Sequence, residues 1–315
     1  MMREPNVQAS ATDAAAATAQ TRCGFIAVIG APNAGKSTLV NRIVGAKVSI
    51  VSHKVQTTRM PLRGIAIEGA SQLVFMDTPG IFAPRRRLDR AMVEAAWGGA
   101  GDADIVVLMI DAAKGIDEDV ERILERIANL RTPPVLVLNK VDRVKKERLL
   151  ELAGSLNARA AFAATFMISA LNGDGVADLK AHLAKSAPPG PWHYPEDEIS
   201  DAPLRVMAAE ITREKIYERL HDELPYEATV ETTSWLEQPK SVRIEQTIYV
   251  ERDGQKAIVL GSGGRTIKQI SMESRQELSA ILGKPVHLFL FVKVRQNWAD
   301  DPERYREMGL AFPKD

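Results

Sequence analysis

Residues 30–38 read Gly-Ala-Pro-Asn-Ala-Gly-Lys-Ser-Thr, directly after the apolar run at 25–29 and directly before a helix-like stretch. Few local sequences restrict a fold so narrowly. Gly30 and Gly35 let the backbone curl until its N–H groups converge on one point, where a side chain would collide. The helix that follows adds partial positive charge at the same point. Strand, loop and helix together predict a phosphate loop. In it, backbone N–H groups cradle a nucleotide β-phosphate, Lys36 bridges the β- and γ-phosphates, and the Ser37 hydroxyl meets Mg2+. Gly30, Asn33, Ala34, Gly35, Lys36, Ser37 and Thr38 are the first nucleotide-binding candidates.

The surrounding pattern predicts an α/β domain with a mixed, mostly parallel sheet. The strand-like runs FIAVIG, QLVFMD, DIVVLMID and PVLVLNK alternate with charged, helix-like stretches such as DEDVERILERIANL. That alternation places helices on both faces of the sheet. RGIAIEG at 63–69 lies so close to QLVFMD that the two form a hairpin, which makes one edge strand antiparallel.

Chemistry-bearing residues then fall at the carboxyl ends of these runs, the edge where open α/β sheets bind ligands. In DTPG, Asp77 can hold Mg2+ through water and Gly80 can offer its N–H to a γ-phosphate. In NKVD, Asn139–Asp142, the Asp142 carboxylate can accept from guanine N1–H and from the exocyclic amine, a pair that adenine does not present. Leaving such a buried charge unpaired costs several kcal/mol, enough to set base choice. Asn139 would brace the loop and Lys140 would lie along the base plane. In SAL, Ser169–Leu171, the Ala170 N–H could meet guanine O6.

Four motifs in this order resemble the translation-factor-related GTPases, Ras-like P-loop proteins, over about residues 24–187. The resemblance assigns the polar loop SIVSHKVQTTR, 49–59, to the mobile switch that closes over the γ-phosphate. It makes a threonine there a Mg2+ ligand, Thr58 in preference to Thr57, so that Ser37, Thr58 and Asp77 form the metal set. Lys36, Thr58 and Gly80 are the expected catalytic groups. Ras-like relatives orient the attacking water with a glutamine after the DxxG glycine. This chain has Ile81, which neither donates nor accepts a hydrogen bond, so slow intrinsic hydrolysis is expected. Asn33 matches the position at which potassium-responsive relatives place a potassium ligand, and K+ joins Mg2+ as a candidate cofactor. Arg59 reads as a structural or solvated arginine rather than an internal arginine finger.

Five prolines between 188 and 203 mark a stiff linker. Beyond it the pattern changes to a smaller α+β unit, 204–300. Its helix-like start at Leu204 has Met207 and Ile211 on one face. The β-rich runs YEATVETTSWLE and VRIEQTIYVER follow, then a strand KAIVL and the glycine cluster GSGG. A helix with Ile267, Ile270, Leu278 and Ile281 on one face and the strand VHLFLFVKV complete it. This order resembles a KH domain of type II, whose GXXG loop clamps the backbone of about four single-stranded nucleotides. Gly261, Ser262, Gly263, Gly264, Arg265 and Lys268 are the RNA-binding candidates.

The 41 basic residues balance the 41 acidic ones, so attraction to RNA has to come from local clustering. Residues 240–300 carry ten Lys or Arg against six acids, while 204–239 carry four against eight. The basic half is the half with GSGG. No aromatic-rich stacking platform of the RRM kind is evident, so backbone clamping and base-edge contacts are expected to dominate.

Cys23 is the only cysteine, which excludes an intrachain disulfide and, with scattered histidines, a structural zinc site. No apolar run reaches membrane-spanning length. Residues 1–23 read as a disordered tail, since they lack an apolar signal core and carry acids that transit peptides avoid. The residues after 300 form a C-terminal segment, 301–315. The expectation is a cytoplasmic monomer.

Beyond the tail the chain resembles the Era family of bacterial ribosome-assembly GTPases, which join these two modules. The resemblance implies GTP and GDP as ligands. It also implies binding of the 3′ end of small-subunit ribosomal RNA during maturation of the 30S subunit, with GTP favouring the RNA-competent state. Two other readings stand beside it: an RNA-binding module whose nucleotide is mainly structural, and a signalling GTPase in peripheral contact with membrane. No lipidation motif or basic amphipathic helix favours the last.

Overall fold

The computed structural model describes residues 20–54, 57–221 and 224–313. Most of the expected tail lies outside them, and its last two residues already belong to a strand.

Strand β1 (Arg22–Ile29) runs into the glycine loop and then into α1 (Lys36–Val44). There follow β2 (Leu62–Glu68), β3 (Ser71–Asp77), α2 (Arg87–Asp102), β4 (Ile105–Asp111), α3 (Glu118–Ile127), β5 (Val135–Asn139), α4 (Lys146–Arg159), β6 (Ala164–Ile168) and α5 (Val176–Ser186). Among the described residues these form one sheet in the order β2-β3-β1-β4-β5-β6. The β2–β3 hairpin is its antiparallel edge and every other pairing is parallel. The alternation within β1 explains the two layers. Ile26 and Val28 face the core shared with Leu39, Val40, Leu179 and Leu183. Ala27 and Ile29 face the one shared with Trp97, Ile123, Leu124 and Leu156. A strand buried on both faces has to be apolar throughout, and each large side chain so buried contributes roughly 1.5–3 kcal/mol.

The proline-rich stretch after α5 is strapped to this domain. Cys23 N donates to Pro188 O at 3.1 Å, Gly190 N to Thr21 O at 3.0 Å and Ile65 N to Ile199 O at 2.9 Å. The buried Gln72 side chain accepts from His193 N and Tyr194 N. Prolines cannot complete a ladder of their own, so neighbouring donors and acceptors fix the path instead.

The second unit comprises α6 (Leu204–Arg219), β7 (Thr229–Gln238), β8 (Ser241–Val250), α7 (Asp253–Leu260), α8 (Arg265–Leu282) and β9 (Val286–Val294). This αββααβ order builds a sheet β7-β8-β9, in which β8 and β9 are parallel. Two expectations are corrected here. KAIVL is the body of helix α7 rather than a strand. Gln255 Oε1 accepts from Glu251 N and Arg252 N at 2.8 and 3.1 Å and nucleates the first turn, a signal that an apolar pentamer does not carry. Ile281 is exposed, and Leu282 packs against that end of the core instead.

The C-terminal segment is part of the fold. Trp298, Tyr305, Met308 and Leu310, around the short helix α9 (Pro302–Glu307), bury themselves against Leu88, Ala91 and Met92 of α2. That cluster joins the two units.

Candidate functional site

The loop between β1 and α1 owes its shape to glycine. Gly35 has φ 102°, and a Cβ there would sit 2.3 Å from Asn139 Nδ2, so this position excludes any side chain. Asn139 closes the loop from β5. Its Nδ2 donates to Ala34 O at 2.8 Å and its Oδ1 accepts from Ala170 N at 2.9 Å, so one side chain ties the first motif to the last. The bracing role expected for Asn139 matches this geometry. The Ala170 N–H expected to meet guanine O6 is given to Asn139.

Lys36 is buried, and its Nζ donates to Gly30 O and Ala31 O at 3.1 and 3.0 Å. Burial pushes its ammonium down to about 8 from 10.5, against the pull of the Asp77 charge. Asp77, at the end of β3, is also buried, and desolvation raises its carboxyl despite the Ser37 hydrogen bond and the nearby lysine. Ser37 Oγ donates to Asp77 Oδ2 at 2.6 Å and lies 3.0 Å from Thr58 Oγ1, which itself stands 3.4 Å from Asp77 Oδ2. Thr57 Oγ1 turns away and donates to Lys54 O. Two hydroxyls and a carboxylate thus converge beside the lysine, an all-oxygen donor set of the hard kind that Mg2+ takes.

Lys36, Ser37, Thr57 and Thr58 border a cleft of about 490 Å³, lined also by Asn33, Thr38, Gly80, Lys140, Asp142, Ser169, Ala170 and Leu171. The structure therefore brings residues from six separated loops together. Gly30, Ala34 and Asp77 lie behind the lining rather than in it. Lys140, at φ 65°, donates to Asn33 O at 2.8 Å and Asp111 Oδ2 at 2.6 Å, which pins it across the cleft. Ser169 holds the last loop in shape: its Oγ accepts from Asn172 N and its carbonyl from Gly173 N. Ile81 N donates to Gly30 O, and its side chain is buried in the core, so no side chain follows Gly80 into the cleft.

Residue-by-residue reading missed Asp111 and Lys114, which line the same cleft. The signal was available for Asp111, a carboxylate at the carboxyl end of β4. The described part of the switch loop is docked on the second unit, where Val51 N donates to Glu214 and Lys54 to Leu220 O, and Arg59 is buried there. Val55 and Gln56 of that loop lie outside the described residues.

In the second unit, the GSGG loop joins α7 to α8. Gly261 has φ 70°, and a Cβ there would lie 2.1 Å from Thr266 Oγ1, so the turn requires glycine. Ser262, Gly263, Arg265 and Lys268 are exposed, and Arg265 Nε donates to Ser262 O at 3.2 Å. Sequence reasoning passed over two exposed phenylalanines, Phe289 and Phe291, which alternate along β9, with Arg243 stacked on Phe289 at 4.4 Å. Among the described residues no helix is long and apolar enough to cross a membrane.

Comparison with known proteins gives both units a relative. A family described as 50S ribosome-binding GTPase matches residues 25–140, and the KH domain family matches residues 223–299. GTPase Era of Bradyrhizobium sp. (strain ORS 278) is 64% identical over 296 residues, covering 94% of this chain and 96% of the relative. GTPase Era of Rhizobium meliloti (strain 1021) is 65% identical over 303 residues, covering 96% and 97%. A crystal structure of Era in complex with MgGDPNP and nucleotides 1506-1542 of 16S ribosomal RNA superposes with a TM-score of 0.88 at 38% identity, covering 92% of this chain and 99% of that one. A substituted Aquifex aeolicus Era bound to GDP.AlF4- superposes with the same score and identity and is covered over its full length. Identity of this order along nearly the whole of both chains leaves no part of the two-unit arrangement unmatched, and the chain belongs to the Era family of GTPases.

Proposed function

We propose that the chain is a GTP-hydrolysing switch that binds the 3′ end region of small-subunit ribosomal RNA and assists 30S maturation. The observation that carries this reading is the convergence of six loops on one cleft in a chain that also presents an exposed GXXG turn. The complex of the solved relative with MgGDPNP and 16S RNA supports the same ligands for this chain.

In this reading the curled backbone at 30–38 and Lys36 hold the β- and γ-phosphates, and Asp142 selects guanine. Ser37, Thr58 and Asp77 hold Mg2+, which when bound neutralises charge on those phosphates. With Ile81 buried, backbone groups of the switch and of Gly80 place the attacking water, and Asn33 supports a K+ ion. Its Nδ2 is given to His53 O at 2.9 Å, which leaves its oxygen for a cation. Equal hydrolysis rates in sodium and potassium buffers would remove that ion. Gly261 to Gly264, Arg265 and Lys268 clamp the RNA backbone. The protein acts as a cytoplasmic monomer in this reading.

The test is the anisotropy of a labelled small-subunit 3′-end oligonucleotide, read with GDP and with a non-hydrolysable GTP analogue. Binding at least about tenfold tighter with the analogue is expected for a coupling of ordinary size. Equal affinity in the two states rejects the switch and leaves an RNA-binding module with a structural nucleotide.

A further inference from the structure

Thr58 is held between two fixed points, and both belong to the other half of the molecule. On one side, the guanidinium of Arg59 is buried in a socket of the KH-bearing unit. Its Nη1 donates to Ala228 O at 2.8 Å, and its Nη2 to Tyr226 O at 2.8 Å, Pro225 O at 3.2 Å and the Tyr217 hydroxyl at 3.3 Å. The rings of Tyr217 and Trp298 stand 6.0 and 5.6 Å from it. On the other side, Arg213 of α6, only 2% exposed, donates from Nη2 to Thr57 O at 2.5 Å. Glu210, one turn earlier, holds Arg213 through both carboxylate oxygens. The three-residue peptide 57–59 is therefore fastened at the carbonyl before Thr58 and at the side chain after it. Between those points the Thr58 hydroxyl reaches to 3.0 Å from Ser37 Oγ.

We propose that Arg213 and Arg59 are positioning residues for GTP hydrolysis, so that the RNA-binding unit, rather than the nucleotide domain alone, sets where Thr58 stands. The inference rests on the reading of Thr58 as a Mg2+ ligand. It assigns Arg59 a task other than that of an arginine finger: its donors are spent on carbonyls of residues 225–228, pointing into the second unit. The choice of arginine at both points follows from geometry. A planar fork reaches several acceptors in fixed directions, which a lysine ammonium on a flexible stem does not reproduce. A displacement of Thr58 by about 1 Å is enough to cost up to about a hundredfold in rate.

Arg59→Lys and Arg213→Lys keep the charge and lose the fork, so they isolate position from electrostatics. Single-turnover GTP hydrolysis, titrated with Mg2+, is expected to fall about tenfold in kcat for each. The Mg2+ needed for half-maximal rate should rise, and GDP affinity should stay within about twofold. Thr58→Ala tests the underlying reading separately: if it hydrolyses GTP as the unmodified protein does at every Mg2+ concentration, Thr58 is no ligand and that reading fails. If Thr58→Ala is impaired while both lysine variants keep normal kcat and Mg2+ dependence, the positioning role is overturned. The cycle of Arg59→Lys with Thr58→Ala separates positioning from a general weakening of the fold. Once the hydroxyl is gone, Arg59→Lys should cost nothing more, whereas additive losses overturn the proposal. Thermal melting verifies that each variant folds. Should a lysine variant fail to fold, Tyr217→Phe removes one acceptor from Arg59, and a roughly threefold loss in the same direction is expected. No change there would count against the socket.

Discussion

Lys36 shows how a single buried group makes the nucleotide site sensitive to pH. Its ammonium titrates at about 8 because burial disfavours the charge more than Asp77 restores it. Below about 8 the charge is present and costs the fold part of its stability. Between about 8 and 10.5 the unfolded chain holds more protons than the folded one, so stability of the nucleotide-free protein rises through that window on account of this group. Phosphate oxygens reverse the balance, since they favour the charged form. Calorimetry of GDP binding at about pH 8.5, in buffers of different ionisation enthalpy, should show net proton uptake that disappears in Lys36→Arg, whose guanidinium stays protonated. Zero uptake in the unmodified protein would show that Lys36 is already charged before nucleotide arrives. The second residue-scale prediction concerns Asp142 at the cleft lining. Asp142→Asn should exchange preference for guanine for preference for xanthine, because an amide can donate to the additional carbonyl. Competition binding with GDP and XDP reads this directly, and an unchanged order of affinities would take base selection away from Asp142.

Among the elements, the two glycine turns do similar work at opposite ends of the molecule. Both precede a helix whose first residue is basic, Lys36 at α1 and Lys268 with Arg265 in the first turn of α8. Both present a helix N-terminus of the kind that favours an approaching anion. They differ in exposure: Lys36 is buried, whereas Ser262 and Gly263 face solvent with open space around Gly263. Replacing Ser262 and Gly263 by Asp should therefore repel an RNA backbone at least about tenfold without disturbing the cleft. Oligonucleotide anisotropy and GDP affinity on the same sample measure both halves of that statement. Normal RNA affinity would remove the loop from the RNA site. Helix α7 also explains why the element preceding this loop was misread. Five residues, Lys-Ala-Ile-Val-Leu, satisfy a buried strand and a short helix equally. The Gln255 cap that decides between them accepts from residues four and three positions earlier and is recognisable only with the turn already formed.

At the level of the whole molecule, several contacts among the described residues join the nucleotide and KH units, Arg213 to Thr57 O among them. Lys47, beside the switch loop, pairs with Glu214 of α6 and Glu277 of α8, the helix that begins at the GXXG turn. Arg59 enters the socket at 217–228. The C-terminal segment covers α2, the helix that follows DTPG. Switch loop, post-DTPG helix and the helix that begins at the GXXG turn are therefore joined through packed elements, which gives linkage a physical route. Tyr305 is the largest side chain of α9 in this joint, 1% exposed, with its hydroxyl donating to Ala299 O. Tyr305→Ala should cost about 3 kcal/mol of docking, by analogy with other buried aromatic truncations. Hydrogen exchange at 302–308 should accelerate accordingly, while β1 and β4 keep their protection. Uniform acceleration across both units would show instead that the segment stabilises the whole molecule and not one joint.

The sequence alone determined the glycine loop and the mostly parallel sheet with its antiparallel edge, and it placed Asn139–Asp142 at a strand end, while the type of the second unit came through resemblance. Each feature read from the residues depends on a local rule: glycines where a curled backbone tolerates no Cβ, a continuous apolar run that buries both faces of β1, and polar residues at a strand end. Ser37, Thr58 and Asp77 were legible as a set only through resemblance, because nothing in the spacing of residues 37, 58 and 77 reveals that their oxygens lie within 3.4 Å of one another. What tertiary structure decided was partnership across the chain. Arg59 and Tyr226 are 167 residues apart, and Thr57 and Arg213 are 156 apart. No periodicity encodes such pairs, since each is a consequence of how two separately folded cores pack, and a buried guanidinium finds its acceptors only after that packing exists.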